Sequence, residues 1–348
     1  MQSIRSGSRG LRLIGKILAN TLVGFFFFVL CVIATLAIYF SNLPGHSLRV
    51  IAAGVFPLAT VAAFLIFPRR GLTALCFLGA IGIIAVWWGM IPASNDRDWK
   101  PEVAVLAKAS FNGDLVTINN IRNFDYKTRN EFTIRYYDKT FDLTKLESAD
   151  LIVSHWDQNE AIAHTFFTFG FTGGEYLAIS IEIRGQKGQD YSGLKGLFKQ
   201  YEIIYVVGDE RDLVRLRTNY RGEDLYLYPT TMTPQEARAF FVNYLRRINE
   251  LAEEPDFYHT LGRNCTTSII THINAIPGKK VAFHRKLLLN GYSDELAYEQ
   301  GRIRSDLPFE QTKRAHYVSK LAQKYNDDPE FSSKIRAGIA KNRKTLGR

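Results

Sequence analysis

From Met1 to Pro92 the chain contains no aspartate or glutamate, although Arg5, Arg9, Arg12, Lys16, Arg49, Arg69 and Arg70 all fall there. Removing these seven from the 44 basic residues leaves 37 against 34 acidic ones. Seven of the ten excess positive charges therefore belong to the first quarter of the chain, and a nucleic-acid partner for the remainder has no support. Cysteine is also scarce. The three present show no CxxC or Cys/His spacing, and no acidic EF-hand run occurs, which argues against a metal; no cofactor is expected. Internal repeats and low-complexity segments are absent.

Long uncharged runs are what the first quarter does contain. Ile17 to Phe40, Val50 to Phe67 and Gly71 to Ile91 hold 24, 18 and 21 residues without a charge. Roughly 20 apolar residues cross a bilayer core, so three transmembrane helices are expected over about 17–40, 50–67 and 71–91, within a membrane anchor spanning 1–92. The first run exceeds the roughly 7 to 15 residues of a signal-peptide core and is read as a retained anchor. No ionisable side chain lies inside a span, which removes support for a transporter or proton relay. Basic residues before the first span and at Arg69-Arg70 place the amino terminus inside, and three crossings put residues 93–348 outside. The expected location is a bacterial inner membrane, multi-pass, with the large carboxy-terminal domain periplasmic. The alternative is that Val50 to Phe67, short and interrupted by Pro57, is a buried core helix, which would invert this topology.

Such a compartment oxidises thiols into pairs. Cys31 and Cys76 lie within the spans, so Cys265 stands alone outside, in the run Tyr258-His259-Thr260-Leu261-Gly262-Arg263-Asn264-Cys265-Thr266-Thr267. The outer domain begins strand-rich: 103–109, 114–121, 131–137, 151–156, 163–171, 176–184, 201–207 and 224–228 have alternating or β-branched character, and Gly173-Gly174 marks a hairpin. After Tyr228 the period changes. Thr233-Pro234-Gln235-Glu236 is a capping box, Ala237 to Leu251 traces one helical face, and Asn264 caps a helix running from Cys265 to before Pro277-Gly278. Further helices are expected over about 309–325 and 330–341. The fold class is α+β, with a helical extension over 277–348 whose basic tail holds Lys334, Arg336, Lys341, Arg343, Lys344 and Arg348.

A thiol at a helix start has a lowered pKa, and the first-turn amides, including that of Cys265, can hold an oxyanion, with Asn264 and Thr266 as supporting residues. The alternative is a buried structural cysteine. A nucleophile needs a base. Of seven histidines, His46, His284 and His316 are poorly placed, His259 lies in a loop, and His272 is two helical turns from Cys265, about 10 Å away. His155 and His164 remain. His164 shares a strand face with Phe166 and Thr168, and Ser180 or Glu182 on the next strand can stand across from it and orient its ring. Glu182 can equally form a structural ion pair with Arg184 or Arg217.

His164 in AHTFFTFGF, LAISIEIR from Leu177, EIIYVVGDERDLVRLR from Glu202 and YHTLGRNCTT from Tyr258 together resemble the Lnb N-terminal periplasmic domain family of bacteria, most closely over 149–276. That resemblance implies a circularly permuted papain-like, NlpC-type domain, in which a strand histidine precedes a helix-start cysteine. It implies a thiol acyltransferase or hydrolase with Cys265 as nucleophile, His164 as general base and acid, and Glu182 or Ser180 as orienting residue. The expected function is then a membrane-anchored periplasmic acyltransferase working through an acyl-thioester on phospholipid or lipoprotein. A cysteine hydrolase or amidase acting on peptide or peptidoglycan, and a non-enzymatic anchored binding module, are the competing readings.

Overall fold

A computed structural model describes residues 2–156, 160–282, 284–287 and 289–339, without the side chains of 2–12. Lys341, Arg343, Lys344 and Arg348 of the basic tail lie outside the described residues. The chain divides into two compact units, Met1–Ala93 with Phe198–Gln200, and Ser94–Leu197 with Tyr201–Arg348.

The first unit is built on three helices, α1 (Gln2–Tyr39), α2 (His46–Ile66) and α3 (Arg70–Gly89). Each is long and apolar enough to cross a membrane, over Leu13–Tyr39, His46–Ile66 and Arg70–Gly89. Phe27 meets Phe64 and Phe77 at ring-centroid distances of 5.9 and 5.3 Å, tying the three helices together through one aromatic cluster. Thr35 and Thr60 return their hydroxyls to the carbonyls of Cys31 and Phe56, which satisfies polar groups where lipid offers no partner. Pro57 lies inside α2 without ending it, and very little of α2 is buried. It is therefore not a core helix.

The second unit is a mixed α+β domain. Its strands are β1 (Lys108–Asn112), β2 (Leu115–Arg122), β3 (Asp125–Tyr126), β4 (Phe132–Thr133), β5 (Tyr136–Asp142), β6 (Leu146–His155), β7 (Ala163–Phe171), β8 (Glu175–Arg184), β9 (Glu202–Asp209) and β10 (Asp224–Pro229). The main sheet runs β1-β2-β9-β8-β7-β6-β10, with β5 also on β2. All its pairings are antiparallel except β2 with β9, which meet at Arg122 and Gly208. Gly173 and Gly174, at φ 93° and 81°, make the β7–β8 turn in a region that other residues adopt at a steric penalty.

Alternation along the strands gives the sheet two apolar faces. Phe167, Phe169 and Phe171 of β7 pack with Leu177, Ile179 and Ile181 of β8 under helices α5 (Pro234–Glu253) and α6 (Cys265–Asn274). Phe166 and Ala178 face the opposite way, toward α4 (Glu210–Arg215) and the later helices α9 (Ser319–Lys324) and α10 (Phe331–Ile335). Between α6 and α9 lie α7 (Ser293–Glu299) and α8 (Phe309–Ala315).

The structure revises several sequence expectations. Residues 103–107 are not strand: Pro101–Val103 winds into a 3-10 turn, and β1 begins at Lys108. The 131–137 run divides between the two-residue β4 and β5, which continues to Asp142. The helix expected over 309–325 is split after Ala315, because Leu227 N–H bonds to the His316 carbonyl and Val318 N–H to Leu225, drawing that backbone onto β10. Over 330–341, Phe331–Ile335 is α-helix, Arg336 is a turn and 337–339 are helical again, with Lys341 outside the described residues.

Candidate active site

The site lies where two neighbouring strands part. The β7–β8 ladder runs from Phe171 opposite Glu175 to Phe167 opposite Ile179 and stops there. Beyond that point β7 continues to pair with β6 as far as Ala163, while β8 continues with β9 as far as Arg184. The amides of Ala163 and Thr165, two residues apart and so on one edge of β7, lose β8 as a partner and are open to side chains. Cys265 reaches this gap from the α6 face of the sheet, and His164 meets it from the Phe166 face.

Local sequence fixes the start of α6. Asn264 is its cap: Oδ1 accepts from Thr267 N–H at 2.9 Å, Thr267 Oγ1 accepts from Asn264 N–H at 2.9 Å, and Asn264 Nδ2 donates to the Thr260 carbonyl at 2.7 Å. The side chain of Asn264 is thus committed to holding the helix start. Cys265 follows as the first helical residue, 5% exposed. Thr266 Oγ1 lies 3.9 Å from Sγ and 3.1 Å from Thr165 Oγ1, linking α6 to β7.

His164 is 9% exposed. Its Nε2 lies 2.7 Å from Ser180 Oγ and 3.3 Å from Glu182 Oε1. Ser180 donates its hydroxyl to Glu182 at 2.7 Å, so it accepts from Nε2–H. This leaves the Nδ1 edge of the ring for the sulfur. Sequence reasoning left Ser180 and Glu182 as alternatives; the geometry brings both to the same ring nitrogen. It also resolves which arginine meets Glu182. Arg184 instead bonds to Asn95 and to the carbonyls of Val103 and Ala104, whereas Arg217 Nη2 donates to Glu182 at 2.6 Å and approaches Ser180 Oγ at 3.3 Å. Arg217 comes from a π-helical turn, Leu216–Tyr220, that continues α4. Its guanidinium stacks 4.6 Å above the Phe166 ring, which in turn lies against His164.

The electrostatics invert the usual order of the two groups. Burial works against the charged imidazole, but the Glu182 carboxylate and hydrogen bonds to Cys265 and Glu182 prevail, and the His164 pKa rises to about 9. Burial likewise opposes the thiolate, but the hydrogen bond and charge of His164, with the backbone N–H and hydroxyl of Thr165, bring Cys265 down to about 6. Glu182, despite its burial, is held well below the usual carboxylate range by His164 and Arg217. At neutral pH the pair is thiolate and imidazolium.

The other histidines do not share this environment. His272 bonds to Tyr205 Oη at 2.7 Å and to Asn243, and burial drives its pKa down to about 3. His259 Nδ1 accepts from its own turn, at Gly262 N–H. His155 packs edge-on against Tyr226, and neither ring nitrogen has a hydrogen-bond partner among the described residues. No group of three metal-ligating side chains occurs among the described residues.

Two neighbours of the sulfur were not anticipated. Thr165 is invisible to motif reading because its contribution includes a backbone amide. Asn290, 25 residues after Cys265, donates Nδ2 to Sγ at 3.9 Å. Beside these residues an apolar cavity of about 80 Å³ opens, lined by Leu151, Thr165, Phe167, Thr266, Ile269 and Ile273 among others.

Residues 133–291 match the family model described as the Lnb N-terminal periplasmic domain. This region is an Lnb N-terminal periplasmic domain. No curated protein and no solved structure matches the chain. The family match encloses His164, Ser180, Glu182, Arg217 and Cys265 and extends to Asn290. With three membrane-length helices ahead of it, the Lnb domain belongs to a membrane-anchored periplasmic protein.

Proposed function

We propose that this protein is a thiol acyltransferase of the inner membrane that carries an acyl group on Cys265 and acts on phospholipid or lipoprotein. The observation that carries the reading is the buried Cys265–His164 pair with its ionisation order reversed, thiolate at about 6 and imidazolium at about 9. A reactive nucleophile and a proton donor coexist between those values. Thiolate attacks the ester carbonyl, the first-turn amides of α6 receive the oxyanion, and imidazolium protonates the departing alkoxide. An acceptor amine then resolves the thioester, its proton passing to His164.

The adjoining cavity favours an acyl ester over a peptide, since its wall is almost wholly apolar and shares Thr165 and Thr266 with the site. At about 80 Å³ it is smaller than the ~150 Å³ that admits benzene, so it receives the first methylenes of a chain unless its walls yield. A membrane tether adds effective concentration toward substrates in the bilayer. Positive charge at Arg5, Arg9, Arg12 and Lys16, early in α1, and at Arg69-Arg70 supports a cytoplasmic amino terminus and a periplasmic Lnb domain under this reading.

The test is activity-based labelling of membranes with an acyl-phosphonate or iodoacetamide, comparing wild type with Cys265→Ser and His164→Ala. Mass spectrometry after incubation with phospholipid is expected to find a palmitoyl-sized adduct on Cys265 that accumulates without acceptor amine. A protein that labels but never carries an acyl mass overturns the lipid reading.

A further inference from the structure

Asn290 stands at the end of the β7–β8 gap and is held there from both sides. Its Oδ1 accepts from Ala163 N–H at 3.1 Å, which fixes the amide orientation and leaves Nδ2 facing Sγ of Cys265 at 3.9 Å. The next residue explains how the turn comes so close. Gly291 N–H bonds to the Ala161 carbonyl at 3.1 Å, and a Cβ at Gly291 would lie 1.9 Å from the Glu160 carbonyl oxygen. Only glycine lets this backbone press against the segment leading into β7. The Asn290 donor is therefore set by backbone on two sides rather than by a free rotor.

Other donors around the sulfur have different tasks. Thr165 N–H and hydroxyl serve the thiolate itself, and the Asn264 side chain is spent on Thr267 and Thr260. The backbone amide of Cys265, at the first helical position, has no acceptor within its own helix. An oxyanion hole needs donors about 2.7–3.1 Å from the oxygen that forms on the attacked carbon, one bond away from sulfur. A donor that faces the sulfur at 3.9 Å stands within reach of an oxygen on the carbon bonded to that sulfur.

Resting on the acyl-thioester reading above, we propose that Asn290 is a catalytic residue, whose Nδ2–H joins the Cys265 amide as the second arm of the oxyanion hole for an acyl ester. A sulfur lone pair forms the S–C bond as the carbonyl π pair moves to oxygen, where both N–H groups hold it. On collapse the C–O bond to the alcohol breaks, and the leaving oxygen takes the proton from His164. Nothing else is consumed.

The experiment separates two reactions of one sulfur in the full-length, membrane-embedded protein. Iodoacetamide alkylates by displacement at a saturated carbon and forms no oxyanion, whereas a p-nitrophenyl acyl ester must form one. Asn290→Ala is expected to slow acylation by about 10²–10³-fold while alkylation stays within a few-fold, which also shows that the fold survives. Asn290→Asp keeps the acceptor for Ala163 and removes only the donor. Compared above the sulfur's titration, as located by its own alkylation profile, it should show the same selective loss, and Asn290→Gln should recover part of it. Acylation at the wild-type rate in Asn290→Ala, or equal loss of both reactions in both the Ala and Asp variants, overturns the proposal. A wild-type protein that alkylates but is never acylated overturns the thioester reading, and this inference with it.

Discussion

The two ends of the β7–β8 hairpin differ in every respect that matters for function. At the turn end, Phe167 to Phe171 are fully laddered to β8, and Phe169 packs 4.7 Å from Phe241 and 5.8 Å from Phe240 with no exposed surface. At the other end the ladder is missing, and His164, Thr165, Ser180 and Glu182 fill the gap with polar groups bonded to one another, to Arg217 and to the sulfur, while Asn290 takes the Ala163 amide and faces the sulfur. Apolar burial stabilises the first end. The second admits a side chain from each face of the sheet, so that groups on opposite sides can react, and unpaired strand amides become donors rather than liabilities.

Breaking the open end at its centre should have the largest effect. Cys265→Ser is expected to abolish the acylated adduct and the alkylation assigned to position 265, read by peptide mass spectrometry that separates it from Cys31 and Cys76; acylation at another site would move the nucleophile elsewhere. His164→Ala should reduce acylation by about 10²–10⁴-fold and return the sulfur's titration upward from about 6, because the hydrogen bond and charge that depress it are gone. Phe169→Ala tests the closed end. It should lower stability by about 3–5 kcal/mol in chemical denaturation while leaving the pH dependence of labelling in place.

The pH profile sharpens the comparison further. Alkylation requires only thiolate and should rise through about pH 6 to a plateau. Acyl transfer also requires imidazolium, so it should fall again as pH passes about 9, giving a bell. Glu182 supplies the charge that most favours the protonated ring, so Glu182→Gln should draw the alkaline limb down. A weaker imidazolium then stabilises the thiolate less, and the acid limb should move up. A bell unchanged in width would reduce Glu182 to a structural ion pair. The smallest effect is expected at Thr165→Val, which removes one hydroxyl from the sulfur and keeps the backbone amide: a several-fold fall in thiolate reactivity at neutral pH.

Legibility in the sequence followed the range of the interaction. The β7 and β8 strands, the α5 capping box and the cap at Asn264 depend on neighbours a few residues apart, and their residue patterns mark them. So do the three apolar spans. The division of 309–325 into two helices was hidden because it depends on hydrogen bonds to β10, about ninety residues away. Arg217 was visible only as one of two possible partners for Glu182, since a π-helical turn rather than strand register aims it. Asn290 carries no local signal at all. Its neighbour Gly291 could have marked a close backbone approach, though not what it approaches.

Composition and periodicity alone thus determined a basic, acid-free segment of three membrane-length helices, an α+β domain after it, and one thiol in that domain opening a capped helix. Those properties are set by each segment's own side chains and backbone. Tertiary structure decided that the β7–β8 ladder ends at Phe167, that Ser180, Glu182 and Arg217 converge on one imidazole, and that Asn290 faces the sulfur. The spacing of groups drawn from separate elements depends on how the sheet twists and splits, and the ionisation order of Cys265 and His164 follows from that spacing.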